Sequence, residues 1–284
     1  MDDTNLPSLV CLIQEWGLLS NKNFSKKLGQ NFLLDQNITD KIVRYAGSLK
    51  DITVIEIGPG VGGLTRSILQ KQPKELYVIE RDPQCVKALQ SLKHVSKDRL
   101  TILEADALKI TPQDIATSPI KIIANLPYNI GTLLLLKWLR NLEGIESLTL
   151  MFQKEVAVRI LAQPNTHEYG RLSVICQYLC KIDLGFTLPP KAFTPPPKVS
   201  SCVIHLKPNH LSVDELSLLP YLEKVTAAAF NQRRKMIRKS LRTMFAEEKI
   251  EKIFKDLSLD PTLRAENLTL KDYQNLALAY CQSC

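Results

Sequence analysis

Val54-Ile-Glu56-Ile-Gly58-Pro-Gly60-Val-Gly62-Gly63 changes character half-way through. Its β-branched residues favour an extended backbone, and the glycines that follow release it. The stretch therefore reads as a strand turning into a helix N-terminus, where main-chain N–H groups can come close to a ligand. The same alternation continues outward. Strand-like runs lie at 52–57, 75–80, 100–105, 120–125 and 147–152, with helix-like segments at 62–70, 82–92, 131–142 and 153–161. Parallel strands need helical crossovers, so the class is α/β: a mostly parallel sheet with helices on both faces and ligands beyond the carboxyl ends of the strands. Residues 171–181 read as a helix, followed by strands at 182–188 and 199–206 around a Pro-rich loop, expected as an antiparallel hairpin at the sheet edge. Pro208-Asn209-His210 marks a boundary, and the remainder reads as helical.

A chain of 284 residues accommodates one large domain and a smaller one, and its 45% apolar and 23% charged content excludes a disordered tail or a fibre. The strongest apolar run, 132–136, is cut by Lys137, far short of a membrane span, so no membrane is expected. The first residues carry acids where a targeting segment carries bases, and the odd cysteine count has no framework spacing. Both features point to a cytoplasmic protein. The net charge of +8 is concentrated: residues 208–284 hold 12 bases against 10 acids, yet 231–242 alone holds six bases (Arg233, Arg234, Lys235, Arg238, Lys239, Arg242) and no acid. Read as a helix, this segment lines up Arg234/Arg238, Lys235/Lys239 and Arg238/Arg242 along one side while Phe230, Ile237 and Leu241 face a core. Such a stripe suits a phosphate backbone, with Lys22, Lys26 and Lys27 as a second contact.

Gly58, Gly60 and Gly63 satisfy a dinucleotide-type spacing, which by itself fits several cofactors. Glu56 discriminates. A carboxylate there repels a pyrophosphate but suits the cationic sulfonium and ammonium groups of S-adenosylmethionine. Glu80, 22 residues after Gly58, is placed to accept ribose hydroxyls, and Asp106, after the third strand, to accept from an adenine amine. The fourth strand ends in Asn125-Leu126-Pro127-Tyr128. The Asn125 side-chain oxygen and the Leu126 carbonyl can bind the two hydrogens of an exocyclic adenine amine, freeing its lone pair to attack, while Tyr128 stacks on the base. None of His94, His167, His205 or His210 stands beside a nucleophile, and Cys281-Gln-Ser-Cys284 lacks a second ligand pair, so no metal is expected.

At this point the chain resembles the ribosomal RNA adenine N6,N6-dimethyltransferase family, most of all its small-subunit branch. The resemblance rests on Lys27-Leu-Gly-Gln-Asn31-Phe-Leu33, Glu56-Ile-Gly-Pro-Gly60, Val78-Ile-Glu80, Asp106-Ala, Asn125-Leu-Pro-Tyr128, Tyr169-Gly-Arg-Leu-Ser173, Phe193-Thr-Pro-Pro-Pro-Lys-Val199, Phe230-Asn-Gln-Arg-Arg-Lys235 and Arg264-Ala-Glu-Asn-Leu268. It implies a Rossmann-like S-adenosylmethionine-dependent methyltransferase fold with a seven-stranded sheet whose last strand is antiparallel, then a small all-helical domain. The expected organisation is an extension over 1–25, a methyltransferase domain over 26–207 and a helical RNA-binding domain over 208–284. By the same resemblance, Asn31 and Leu33 join Gly58, Glu80, Asp106 and Asn125 around the cofactor, and Phe193 closes on the target base opposite Tyr128. The implied reaction is dimethylation of two adjacent adenosines in a hairpin loop near the 3′ end of small-subunit (16S) rRNA. The implied partner is the 30S particle or its precursor, met by a monomer. Alternatives are large-subunit rRNA dimethylation, or an RNA-binding assembly factor whose catalysis is dispensable.

Overall fold

The computed structural model describes residues 8–15 and 30–283. Nine strands are described: β1 (Phe32–Leu33), β2 (Thr53–Ile57), β3 (Glu75–Glu80), β4 (Leu100–Glu104), β5 (Ile120–Asn125), β6 (Ile145–Gln153), β7 (Cys180–Leu188), β8 (Phe193–Thr194) and β9 (Ser201–Pro208). Seven of them form one sheet in the order β4-β3-β2-β5-β6-β9-β7. From β4 to β6 every pairing is parallel, and β9 runs antiparallel to β6. β2 is buried along its whole length, as a central strand covered on both faces must be. The two strands around the Pro-rich loop are neighbours at the edge, with β9 inside and β7 outermost.

Local chemistry sets the crossovers. Asp35 caps helix Gln36–Tyr45 by accepting from the Asn37 N–H, and Asp82 caps helix Pro83–Gln90 in the same way with proline in the first turn. The core between helices and sheet is built from residues such as Val54, Leu76, Val78, Ile123, Met151 and Val203, all buried. β1 and β8 make a separate two-stranded ladder, Phe32 opposite Thr194 and Leu33 opposite Phe193.

The chain divides into two compact units, 1–157 with 183–208, and 158–182 with 209–284. A single boundary at 207/208 is therefore replaced by an interleaved one: helix Arg171–Leu179, assigned from the sequence to the methyltransferase domain, groups with the helical unit. It packs there against helix Leu219–Asn231, which also packs on helix Leu270–Cys281. Cys176 and Cys180 are buried. No helix among the described residues is long and apolar enough to cross a membrane.

The basic segment differs from expectation. Helix Leu219–Asn231 stops where the segment begins, residues 232–236 form a turn, and one further helical turn covers Ile237–Ser240. Tertiary hydrogen bonds override the local periodicity: Ile237 N–H donates to the Leu263 carbonyl, and Met236 bridges Arg264. Ile237 and Leu241 are fully buried, as expected, whereas Phe230 is only partly so and stacks on Tyr273.

Candidate active site

The loops after β2, β3 and β5, with the turn after β4, converge on one cleft at the carboxyl ends of the strands. Asn31, Leu33, Glu56, Gly58, Gly60, Glu80, Asp106, Asn125, Leu126, Pro127 and Tyr128 all line it. The glycines are required by geometry. Gly60 has φ +58, and a Cβ there would lie 2.8 Å from the Phe32 ring. A Cβ on Gly63 would collide with the Leu33 carbonyl. Only glycine fits at these two positions, between β1 and the first turn of helix Gly63–Gln70.

Glu80 binds this loop directly. Its Oε2 accepts from the Gly60 N–H at 3.1 Å, and its Oε1 accepts from the Arg81 and Asp82 N–H groups at 2.8 and 2.9 Å. Burial raises its pKa, and these three N–H groups oppose that shift. Acceptor capacity remains on Oε2 for a ligand hydroxyl. Glu56 is 1% exposed, and its Oε2 has no hydrogen-bond partner among the described residues. Burial lifts its carboxyl to about 8, with Thr65 opposing the shift and Glu80 adding to it. A buried carboxyl left orphaned on a cleft wall is suited to a cationic ligand. Asp106 lines the cleft while its Oδ1 caps the turn Ala107–Lys109 through the Leu108 N–H. It is both a cap and a cleft acid.

The catalytic turn is held from outside its own segment. Asn125 Nδ2 donates to the Asn31 carbonyl at 3.0 Å, which fixes the amide so that Oδ1 is left as the acceptor. Leu126 is buried, and Tyr128 is half-buried with its hydroxyl 2.6 Å from Ser201 Oγ. Burial raises the Tyr128 pKa against that hydrogen bond.

Two expectations change. Phe193 does not line the cleft: it is 3% exposed and packs with Leu33, Ile123, Met151 and Val203, because its place in β8 turns it into the core. It is an anchor rather than a stacking plate in this structure. Arg233 is also engaged internally. Its Nη2 donates to the His167 and Tyr169 carbonyls at 2.6 and 3.0 Å and pairs with Glu266 at 3.1 Å, so it holds the 167–169 loop instead of facing a phosphate. Arg234, Lys235, Arg238, Lys239 and Arg242 are exposed. Lys26 and Lys27, with Lys22, lie outside the described residues.

Residues that sequence reasoning missed include Gln30, whose Nε2 donates to Asp82 Oδ2 at 2.7 Å and which lines the cleft beside Asn31. Its signal was adjacency to Asn31 in the quoted motif. Arg81, 3.9 Å from Asp106, follows Glu80 directly. Ser201 carried no local signal.

Residues 21–282 match the family model described as ribosomal RNA adenine dimethylase. The chain belongs to that family. It is 48% identical over 277 residues to the ribosomal RNA small subunit methyltransferase A of Sinorhizobium medicae, covering 96% of this chain and 97% of that one. The protein of the same name from Rhizobium meliloti is 49% identical over the same shares. A dimethyladenosine transferase from Plasmodium falciparum has the same fold, with a TM-score of 0.77 at 25% identity over 87% of this chain and 96% of that one. The 23S rRNA methyltransferase ErmE shares the fold at a TM-score of 0.68 and 24% identity, over 89% of this chain and all of that one.

Proposed function

We propose that this chain uses S-adenosylmethionine to dimethylate N6 of two adjacent adenosines in small-subunit rRNA. The observation that carries the reading is the Asn125 amide, whose Nδ2 is tied to the Asn31 carbonyl so that Oδ1 is left as an acceptor in a cleft lined also by Leu126, Tyr128, Gly58 and Gly60. The names of the curated relatives support the small-subunit assignment over the large-subunit one.

The cleft fits the donor by its own chemistry: a buried carboxyl at Glu56 with Oε2 unpartnered among the described residues for positive charge, Glu80 for ribose hydroxyls, Asp106 for the adenine amine, and a loop that admits no side chain at Gly60 and Gly63. When bound, S-adenosylmethionine supplies a methyl group on a positively charged sulfur that departs as a neutral thioether. The chain's own residues prepare the acceptor. Asn125 Oδ1 and the Leu126 carbonyl accept the two N6 hydrogens and favour a pyramidal nitrogen whose lone pair is available. The ring of Tyr128 supports the splayed base. Holding donor and acceptor together replaces most of what an acid or base would contribute. Arg234, Lys235, Arg238 and Lys239, exposed on the helical unit, are assigned to the RNA backbone. The protein is placed in the cytoplasm, where small subunits are assembled.

The test is methyl transfer from labelled S-adenosylmethionine to unmethylated small subunits, naked small-subunit rRNA and large-subunit rRNA, with the modified nucleoside identified by mass spectrometry. Dimethyladenosine in small-subunit substrate alone is expected. Labelling of large-subunit rRNA overturns the assignment, and RNA binding without transfer moves the protein to an assembly role.

A further inference from the structure

The hydroxyl of Tyr128 meets Ser201 Oγ at 2.6 Å, and Ser201 is fully buried at the start of β9. Seventy-three residues separate the two in sequence. Ser201 is opposite Gln153 in the β6–β9 ladder, so its backbone is fixed by the sheet while Tyr128 rides on a turn. A turn-borne aromatic has two free side-chain torsions, and a bond from its far end to a strand removes that freedom.

This bond also closes a circuit. Asn125 is tied to the Asn31 carbonyl, and the next two residues, Phe32 and Leu33, pair with Thr194 and Phe193. The Pro-rich loop runs from Thr194 to Ser201, and Ser201 returns to Tyr128, three residues from Asn125. Both catalytic-turn side chains are thus held by segments that contribute no reacting atom.

Resting on the methyl-transfer reading above, we propose that Ser201 is a positioning residue: through the Tyr128 hydroxyl it sets the plane in which the target base is stacked, and so governs the transfer step and not cofactor binding. Cys202, next along β9, has its sulfur 3.3 Å from the Thr187 hydroxyl and does not replace it.

The experiment compares Ser201→Ala, Tyr128→Phe, the double variant and Ser201→Thr in the full chain. It measures kcat and KM for small-subunit substrate and, separately, the Kd for S-adenosylhomocysteine by calorimetry. Each single variant is expected to lose about tenfold in kcat, the size of one well-formed hydrogen bond, with the Kd within about twofold of the parent. The double variant is expected to be no worse than the weaker single, since both break one bond. Ser201→Thr keeps the hydroxyl and is expected to recover most of the loss, while melting temperatures check that each variant folds. Unchanged kcat, additive losses in the double variant, or a loss confined to the Kd each overturn the proposal. If the parent chain binds S-adenosylhomocysteine but transfers no methyl group, it is the underlying functional reading that fails.

Discussion

The cofactor cleft and the basic segment 231–242 both offered a clear sequence pattern, and only one folded as its pattern reads. Around the cleft each strand ends where its run of β-branched and apolar residues ends, so the side chains that follow land on one edge of the sheet. The pattern there is enforced by hydrogen-bonded strand registers, which a local fluctuation cannot slip. In the basic segment, charges three and four apart describe a helix face equally well as a turn, because exposed side chains pack against nothing that chooses between the two. Tertiary partners decided: Arg233 went to two carbonyls and Glu266, and Ile237 to the Leu263 carbonyl. A motif is therefore most legible where the backbone it sits on is already paired.

The contrast can be tested in both regions. The largest effect is expected from Asn125→Ala, which removes one of the two acceptors assigned to the amine: methyl transfer falls by about a thousandfold, while RNA binding stays largely intact. Normal turnover in that variant would overturn the assignment. Next comes Arg233→Ala, which leaves the His167 and Tyr169 carbonyls and Glu266 without their donor. It should destabilise the protein by about 1–3 kcal/mol in denaturant titration and leave the salt dependence of RNA binding unchanged.

Arg234→Ala with Arg238→Ala should do the reverse. RNA affinity falls about tenfold, the slope of log K against log salt becomes shallower by roughly 1.5, and the melting temperature holds. If Arg233 and Arg234 behaved alike, the distinction between clamp and contact would collapse.

The last test concerns pH. A carboxyl raised from 4.5 to about 8 in the folded state binds its proton more tightly there than when unfolded. Its contribution to stability is full below pH 4.5 and is lost as pH rises to about 8. The ligand-free melting temperature should therefore decline across that window, and Glu56→Gln should flatten the decline. An identical decline in the variant would place the titrating group elsewhere.

How far the sequence could be read follows the same physics. Gly58, Gly60, Glu80 and Asp106 were legible because a parallel sheet sends every strand end to one side. The state of Glu56 was legible only in part: its position follows from strand periodicity, but that its Oε2 has no partner among the described residues depends on what surrounds it. Phe193 and Ser201 were hidden for a common reason. Each is decided by pairing across long stretches of chain, β8 against β1 and β9 against β6, and no local window contains both partners. The interleaved unit boundary is a third case, since helix Arg171–Leu179 carries an apolar pattern that suits either unit.

The ladder between β1 and β8 has a consequence for the order in which the protein matures during synthesis. The glycine loop and its acids lie within residues 56–106, and Asn125 follows soon after. The carbonyl that turns Asn125 lies beside a strand of two residues, whose partner, Phe193–Thr194, emerges some seventy residues after Asn125. A nascent chain stalled between those points holds the cleft residues up to Asn125 without the β8 strand that pairs with β1. On the proposed reading, the turn that receives the adenine is completed only after most of the sheet-forming part of the chain has been made.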